Sequence, residues 1–204
     1  MFHLIGRIPT VKFSVACSGG IDSMVVVDFL LRFPQNRFNL LYFNHGTQHG
    51  QDAEEFVKDF AEFKSLDLHI GQITRAKRSG ESQEEYWRNQ RYEFFGQFAN
   101  PIITCHHLND CVETWIFSSL RGNPKLIPYQ RDNFLRPFLA VPKKNIEEWS
   151  QKNSVRFIQD HTNFESEHAR NIIRNDLIPV AKLVNPGLET TIRKMILNKY
   201  KAPK

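Results

Sequence analysis

Two hydrophobic periods alternate along the first 120 residues, and the alternation predicts the architecture. Val11 to Ala16 is a short apolar run rich in Val and Phe, the pattern of a buried strand. Glycines and serines follow, and the apolar positions from Met24 to Leu31 continue into a helix that Pro34 closes. Phe38 to Phe43 is expected to be a second strand, ending in the polar Asn44-His45-Gly46. From Ala53 to Phe63 the apolar residues Phe56, Val57, Phe60, Ala61 and Phe63 keep a helical period. Leu66 to Ile73 reads as a third strand. Ser82 then precedes a helix, Gln83 to Phe98, that carries Tyr86, Trp87, Phe94 and Phe95. Pro101 to Cys105 gives a fourth strand, followed by a helix from about Leu108 to Leu120.

Strands alternating with helices at this spacing imply crossover connections. The expected class is therefore α/β, a parallel sheet with helices on both faces. In such sheets ligands bind outside the carboxyl ends of the strands. The loops Cys17–Ser23, Asn44–Gly50 and His106–Asp110 all leave strand ends, so they are expected to meet in one crevice.

Past Arg121 the alternation stops. Gly122-Asn123-Pro124 and Pro128 mark a loop, and Pro137 and Pro142 bracket the apolar Phe138-Leu139-Ala140-Val141. Lys143 to Lys152 reads as an amphipathic helix through Ile146 and Trp149. A short strand is expected over Val155–Ile158, a helix over Glu167–Ile178, and a last helical pattern from Gly187 to Lys199. The expected division is a core over 1–122 and a basic, mostly helical extension over 123–204 that contacts RNA.

Composition changes this picture in two ways. The formal net charge of +5 and pI near 9.2 suit a polyanionic partner, with Arg75-Ala76-Lys77-Arg78 one basic cluster. The three cysteines, Cys17, Cys105 and Cys111, are odd in number and have no CxxC spacing. That argues against a disulfide framework and a four-thiolate metal site, and points to a reducing, cytoplasmic compartment. No apolar run approaches the roughly 20 residues needed to span a bilayer, and no signal peptide is visible, so no membrane association is expected. A homodimer is compatible with the sequence.

The chemistry concentrates in Ser18-Gly19-Gly20-Ile21-Asp22-Ser23. A glycine pair between a strand and a helix lets backbone N–H groups approach a phosphate, and the helix N-terminus adds a favourable dipole. Ser18 and Ser23 add hydroxyls. A carboxylate inside an anion-binding loop is repulsive unless a divalent cation bridges it to the phosphates, so Asp22 implies magnesium. No lysine follows the loop in the GxxxxGK[ST] arrangement, which excludes a Walker A site. The bland alternative is a Gly-Gly turn with Asp near a helix start. On the predicted fourth helix, Asp110, Glu113, Phe117 and Arg121 fall at spacings of three and four, so they are expected to share a face. His106 and His107 diverge and lack a third ligand at a standard spacing, which argues against zinc.

SGGxDS resembles the fingerprint of PP-loop ATP pyrophosphatases, which split ATP between the α and β phosphates. Further segments resemble the tRNA(Ile)-lysidine synthetase family. They are His106-His107-Leu108-Asn109-Asp110-Cys111-Val112-Glu113-Thr114 with Arg121-Gly122, Glu84…Arg88-Asn89-Gln90-Arg91-Tyr92, Arg136-Pro137-Phe138-Leu139, Asp160-His161-Thr162-Asn163 and Arg170-Asn171-Ile172-Ile173-Arg174-Asn175. The resemblance covers about residues 12 to 187 in order. It implies a ligase that uses ATP and Mg2+ to adenylate the C2 oxygen of a wobble cytidine, after which a lysine amine displaces AMP. The implied partners are a tRNA, the isoleucine tRNA with a CAU anticodon, and free L-lysine.

On the resemblance, the ATP site comprises Ser18, Gly19, Gly20, Ile21, Asp22, Ser23, His45 and His106, with His45 near adenine or ribose. Asp22, Arg88, Asp110 and Glu113 carry the chemistry; Asp110, Glu113 and Arg121 face lysine and the base; and Arg136, Arg170, Asn171 and Arg174 face tRNA. Asn109 stands where the family usually has Asp, and Asn123 to Tyr129 replaces a longer glycine-rich segment. Two alternatives stay open: a PP-loop enzyme with another nucleophile such as sulfur, and a non-catalytic RNA-binding relative.

Overall fold

A computed structural model describes residues 1–159 and 168–200. The strands β1 (Phe13–Ala16), β2 (Phe38–Asn44), β3 (Leu68–Gln72), β4 (Ile102–Ile103), β5 (Gln130–Arg131) and β6 (Phe134–Leu135) form one sheet in the order β3-β2-β1-β4-β6-β5. Every pairing is parallel except the edge pair β5–β6. Helices α1 (Ile21–Leu31), α2 (Gln48–Phe63), α3 (Gln83–Phe95) and α4 (Leu108–Ser119) follow the first four strands in turn. The α/β class expected from the periodicity is the class observed.

The central strands β1, β2 and β4 are mostly apolar on both faces because each of their faces is covered, whereas β3 and β5, nearer the edges, are largely exposed. Phe13 and Val15 of β1, Leu40 and Tyr42 of β2 and Ile103 of β4 pack with Met24, Val27 and Leu30 of α1 and with Ala53, Val57 and Ala61 of α2. The alternate positions Leu41 and Ile102 turn to the other face and meet Phe95 of α3 and Phe134. The period-2 alternation thus sorts residues between two dry layers, not between core and solvent. Helix α1 is buried nearly all round, which explains its unbroken run of Met and Val.

The sheet runs across the boundary expected at residue 122. Strand β6 pairs with β4, and Phe138, Leu139, Ala140 and Val141 are buried in the core. Helix α5 (Lys143–Lys152) docks on α1: Ile146 is buried, and Trp149 Nε1 donates to Asp28 Oδ2 at 2.8 Å. The β5–β6 hairpin has no hydrophobic period to announce it. Its register is set by tertiary pairing, Ile102 N–H to Asn133 O at 2.8 Å and Thr104 N–H to Leu135 O at 2.9 Å. The strand expected over Val155–Ile158 does not form. That segment runs past the glycine loop, where Ile158 N–H donates to Gly19 O at 2.9 Å.

Two other boundaries differ from the sequence reading. Helix α2 begins at Gln48 because the Thr47 hydroxyl accepts from Gly50 N–H at 3.0 Å, a cap placed ahead of the apolar period. Near the end of the chain, α6 (His168–Ile172) passes through a π-helical turn (Ile173–Leu177) into α7 (Ile178–Val184), and α8 (Leu188–Lys199) follows. Pro179, in the first turn of α7, lacks the N–H that would continue an α ladder, and the wide turn lies just before it. Asp160, His161, Thr162, Asn163 and Glu167 lie outside the described residues.

Candidate active site

The loops that follow β1 and β4 meet where the crevice was expected, with Asp22, after the first, 3.6 Å from His107, after the second. After Ala16 the chain turns through Gly19 at φ +81°, the left-handed region that a side chain disfavours. A Cβ there would also lie 3.2 Å from Ile158 and 3.3 Å from Val57, so glycine is required for conformation and space alike. Gly20 caps α1 in extended conformation, leaving the helix N-terminus open toward the crevice. Ser23 is buried, and its hydroxyl is spent within the loop: it donates to Gly20 O at 2.9 Å and accepts from Ser18 N–H at 3.2 Å. Ser18 Oγ lies 3.3 Å from Ser23 Oγ, which fixes the turn further.

Asp22, in the first turn of α1, is the focus of the charge. Lys143 Nζ donates to its Oδ1 at 2.5 Å, and His107 Nε2 lies 3.6 Å from the same oxygen, a charge contact longer than a hydrogen bond. Burial works to raise the Asp22 carboxyl, but His107 and Lys143 together outweigh it and hold the acid below its ordinary value. His107 answers in kind. Burial alone would lower it, yet Asp22 and Asp110 raise it above the usual imidazole range. Asp110 accepts from the His107 backbone N–H at 2.8 Å and sits 3.5 Å from its Nδ1. Lys143, Asp22, His107 and Asp110 thus form one row of contacts beside the glycine loop.

Two further histidines line the strand ends in the neutral state. His45, just beyond β2, packs against Phe43 and Trp87 at centroid distances of 5.0 and 5.3 Å, and its buried Nδ1 has no hydrogen-bond partner. Burial, with Arg91 nearby, pushes it down to about 4. His106 Nδ1 lies 2.9 Å from Thr104 Oγ1. Burial, opposed by Asp110 and assisted by Arg136, Arg91 and His107, also takes His106 down to about 4. The three rings of Phe43, His45 and Trp87 are tilted against one another, at 64° and 44°, and form an aromatic cluster beyond the end of β2.

These shifts predict an acid limb of stability. An imidazole with a depressed folded pKa binds fewer protons in the fold than in the unfolded chain. Stability is therefore whole above the ordinary value of about 6.5 and drains as pH falls toward 4. Each of these half-buried histidines contributes at most on the order of 3 kcal/mol to that loss. His107 is raised instead, so its contribution is present below 6.5 and lost as pH rises through its folded value; it does not offset the acid limb. Urea unfolding between pH 4 and 7.5 is expected to show a steep fall below 6.5, shallower for His45→Gln. A flat profile would sink this expectation.

Several expected site residues lie elsewhere, and each displacement has a physical cause. Arg121 follows the end of α4, roughly 16 Å along the helix from Asp110 at 1.5 Å per residue, exposed and stacked 4.0 Å over Phe117. Sharing a helical face did not bring it to the crevice. Arg136 is only 4% exposed and donates to Pro128 O at 3.0 Å, so it is a buried structural cation and not an RNA-facing one. Arg88 is exposed on α3 beside Tyr92. Arg91, one face round, is the α3 arginine whose charge reaches His45 and His106.

Glu113 is buried at 6% exposure and takes a two-pronged contact from Arg174, Nε to Oε1 at 2.7 Å and Nη2 to Oε2 at 3.0 Å. The residue expected to hold an amine and the one expected to hold RNA are thus joined to each other. Arg170 and Asn171 lie on α6, with Arg170 half-buried. Sequence reasoning missed Lys143 as a site residue. The available signal was a lysine in the first turn of a helix, against the helix dipole. Asn109, where the resembling family has Asp, accepts from Lys143 N–H at 2.9 Å and so pins the start of α5 to α4.

Among the described residues no three His, Cys, Asp or Glu side chains gather as a cation cage. A divalent cation therefore fits this site only when shared between Asp22 and the oxygens of a bound phosphate chain. The cysteines are unbridged, and burial raises all three thiols: Cys17, Cys105 well above the ordinary value, and Cys111. No described helix is long and apolar enough to cross a membrane.

With this geometry in place, the chain can be compared with known proteins. A family model described as the PP-loop domain matches residues 2–181. The tRNA(Ile)-lysidine synthase of Thermosipho africanus is 32% identical over 201 residues, covering 90% of this chain and 47% of that protein. The protein of the same name from Persephonella marina is 34% identical over 195 residues, covering 87% of this chain and 43% of its own length. The chain thus spans less than half the length of either. Among solved structures, the U34-tRNA thiolase NcsA of Methanococcus maripaludis with its [4Fe-4S] cluster superposes with a TM-score of 0.70 at 14% identity, over 98% of this chain and 77% of that one. The NH3-dependent NAD synthetase of Campylobacter jejuni gives 0.51 at 13% identity, over 97% and 90%. At such identities the likeness concerns the fold alone.

Proposed function

Since the chain belongs to the PP-loop family, we propose that it is an ATP-dependent tRNA-modifying ligase that converts a wobble cytidine to lysidine. The observation that carries this reading is Asp22 at the open N-terminus of α1, in a glycine loop shaped for phosphate and flanked by His107, Asp110 and Lys143. Curated relatives over nearly the whole chain bear the name of that activity. The C2 oxygen of the cytidine attacks the α-phosphorus, the α–β bridge breaks and pyrophosphate leaves. The lysine amine, having lost a proton, then attacks C2, and AMP departs with the original oxygen.

The residues suit the task. The amides of Gly19 and Gly20 and the dipole of α1 receive phosphate oxygens. Asp22 would hold magnesium together with the triphosphate; bound there, the ion neutralises charge building on the leaving pyrophosphate. His45 and Trp87, both partly exposed beyond the end of β2, would offer ring surface to adenine. Asp110, beside His107, is the carboxylate that would hold and deprotonate the amine, and Glu113 would join it only by exchanging Arg174 for the substrate ammonium. The substrate of this reading is an isoleucine tRNA with a CAU anticodon, and the reaction belongs in the cytoplasm, where unbridged cysteines persist.

A sulfur-transferring activity is the second reading. The raised thiols of Cys17, Cys105 and Cys111 disfavour it, because the thiolate is the nucleophile. The deciding test incubates the full chain with total tRNA, Mg2+, ATP and labelled lysine, followed by nucleoside mass analysis. Lysidine with stoichiometric AMP is expected. AMP without lysidine would move the assignment to another nucleophile, and absence of both would overturn the enzyme reading.

A further inference from the structure

Lys143 occupies a position that local preference opposes and tertiary contacts enforce. It opens α5, where the helix dipole repels a cation, and the first turn of that helix carries no acid to offset it. Its backbone is nonetheless fixed from three sides. Asn109 accepts its N–H at 2.9 Å, Ile146 one turn on is buried, and Trp149 is tied to Asp28 on α1. The rigid base carries a flexible stem whose ammonium reaches across to Asp22, 121 residues earlier in the chain. Lys143 and Asp22 are both partly exposed, with side chains 28% and 35% accessible, so the pair faces the crevice and solvent.

The contact has an electrostatic consequence. A bare carboxylate in an anion loop repels a polyphosphate. Paired with Lys143 it presents no net charge, and the open α1 N-terminus then dominates the local field.

We propose that Lys143 is a phosphate ligand of this site: it neutralises Asp22 until a nucleoside triphosphate arrives and then transfers its ammonium to the phosphate chain. Asn109 is the positioning residue that sets α5, and hence the lysine stem, at the reach this exchange needs. This rests on the nucleotide reading above. A lysine that merely braced α5 against α1 would not need a mobile stem or a partly exposed partner, and the Trp149–Asp28 bond already supplies that brace.

Calorimetric titration with α,β-methylene-ATP, which resists cleavage at the bond concerned, tests the proposal on the full chain, Lys143→Met, Lys143→Arg and Asp22→Asn/Lys143→Met. In EDTA, Lys143→Met is expected to bind about tenfold more weakly than the unaltered chain, the worth of one charge-assisted contact. With excess Mg2+ the deficit shrinks to about threefold, because Asp22 then has another cation. Lys143→Arg keeps near-normal affinity in both buffers. The double variant recovers affinity in EDTA relative to Lys143→Met, since the uncompensated carboxylate is gone.

Equal affinities in EDTA for the unaltered chain and Lys143→Met would overturn the proposal. So would a deficit of the same size with and without Mg2+, the mark of a structural role, with thermal melts of each variant confirming the fold. Absence of any binding by the unaltered chain in Mg2+ would remove the nucleotide reading itself, and the proposal with it.

Discussion

Asp22→Asn is expected to reduce AMP formation from ATP by about 10³-fold while leaving RNA binding within about twofold. The first figure follows from losing the group that would anchor the metal at the developing phosphate charge, a loss of the size seen for single electrostatic stabilisers. Asparagine keeps the shape and can still face Lys143 and His107, so the loop and α1 should fold as before. The second figure follows because Asp22 bears no positive charge, and salt-dependent RNA affinity scales with the cations that contact phosphates. AMP release measured beside filter binding over a salt series checks both. Retention of AMP formation within tenfold would show that Asp22 is a helix-start residue only.

Arg174→Met is expected to cost about 2–3 kcal/mol at neutral pH, more than Glu113→Gln does. The asymmetry comes from exposure. Glu113 is 6% accessible and Arg174 45%. Removing the arginine strands a buried carboxylate, whereas removing the carboxylate leaves a cation that solvent already reaches. The figure is below the usual cost of breaking a fully buried pair because half of this one is hydrated. For a chain of this size the melting temperature should fall by about 5–10 °C. The double variant should regain most of the loss, since neither charge is then stranded. If Arg174→Met melts like the unaltered protein, the contact holds nothing together and Arg174 is available for RNA as the sequence suggested.

The two contacts form a pattern. Asp22 and Glu113, carboxylates of the first 122 residues, are each held by a cation from beyond them, Lys143 and Arg174. The later part of the chain therefore enters the site chemically, beyond covering the sheet. Asn109 belongs to the same pattern. Where a carboxylate would add charge beside Asp22 and Asp110, an amide oxygen gives the acceptor that the start of α5 requires without that charge.

The sequence alone determined the parallel α/β core and the glycine loop, because local physics dominates both. Strands covered on two faces are mostly apolar, helices between them carry a 3.6-residue period, and Gly19 is demanded by a positive φ that no neighbour could relieve. It also marked the strand ends beyond which Asp22, His45, His106 and Asp110 lie, in the loops or first helical turns that follow. Tertiary structure alone decided what each charge touches. Nothing in the spacing of Arg136 forecasts a buried cation under Pro128, whereas the distance of Arg121 from Asp110 along α4 follows from residue count alone. The β5–β6 hairpin is too short to have a period and exists because β4 offers it an edge. The Lys143–Asp22 and Arg174–Glu113 pairs join residues 121 and 61 positions apart. Coulomb attraction acts through space and desolvation depends on what covers a group, so such partners are fixed only once the chain has closed on itself.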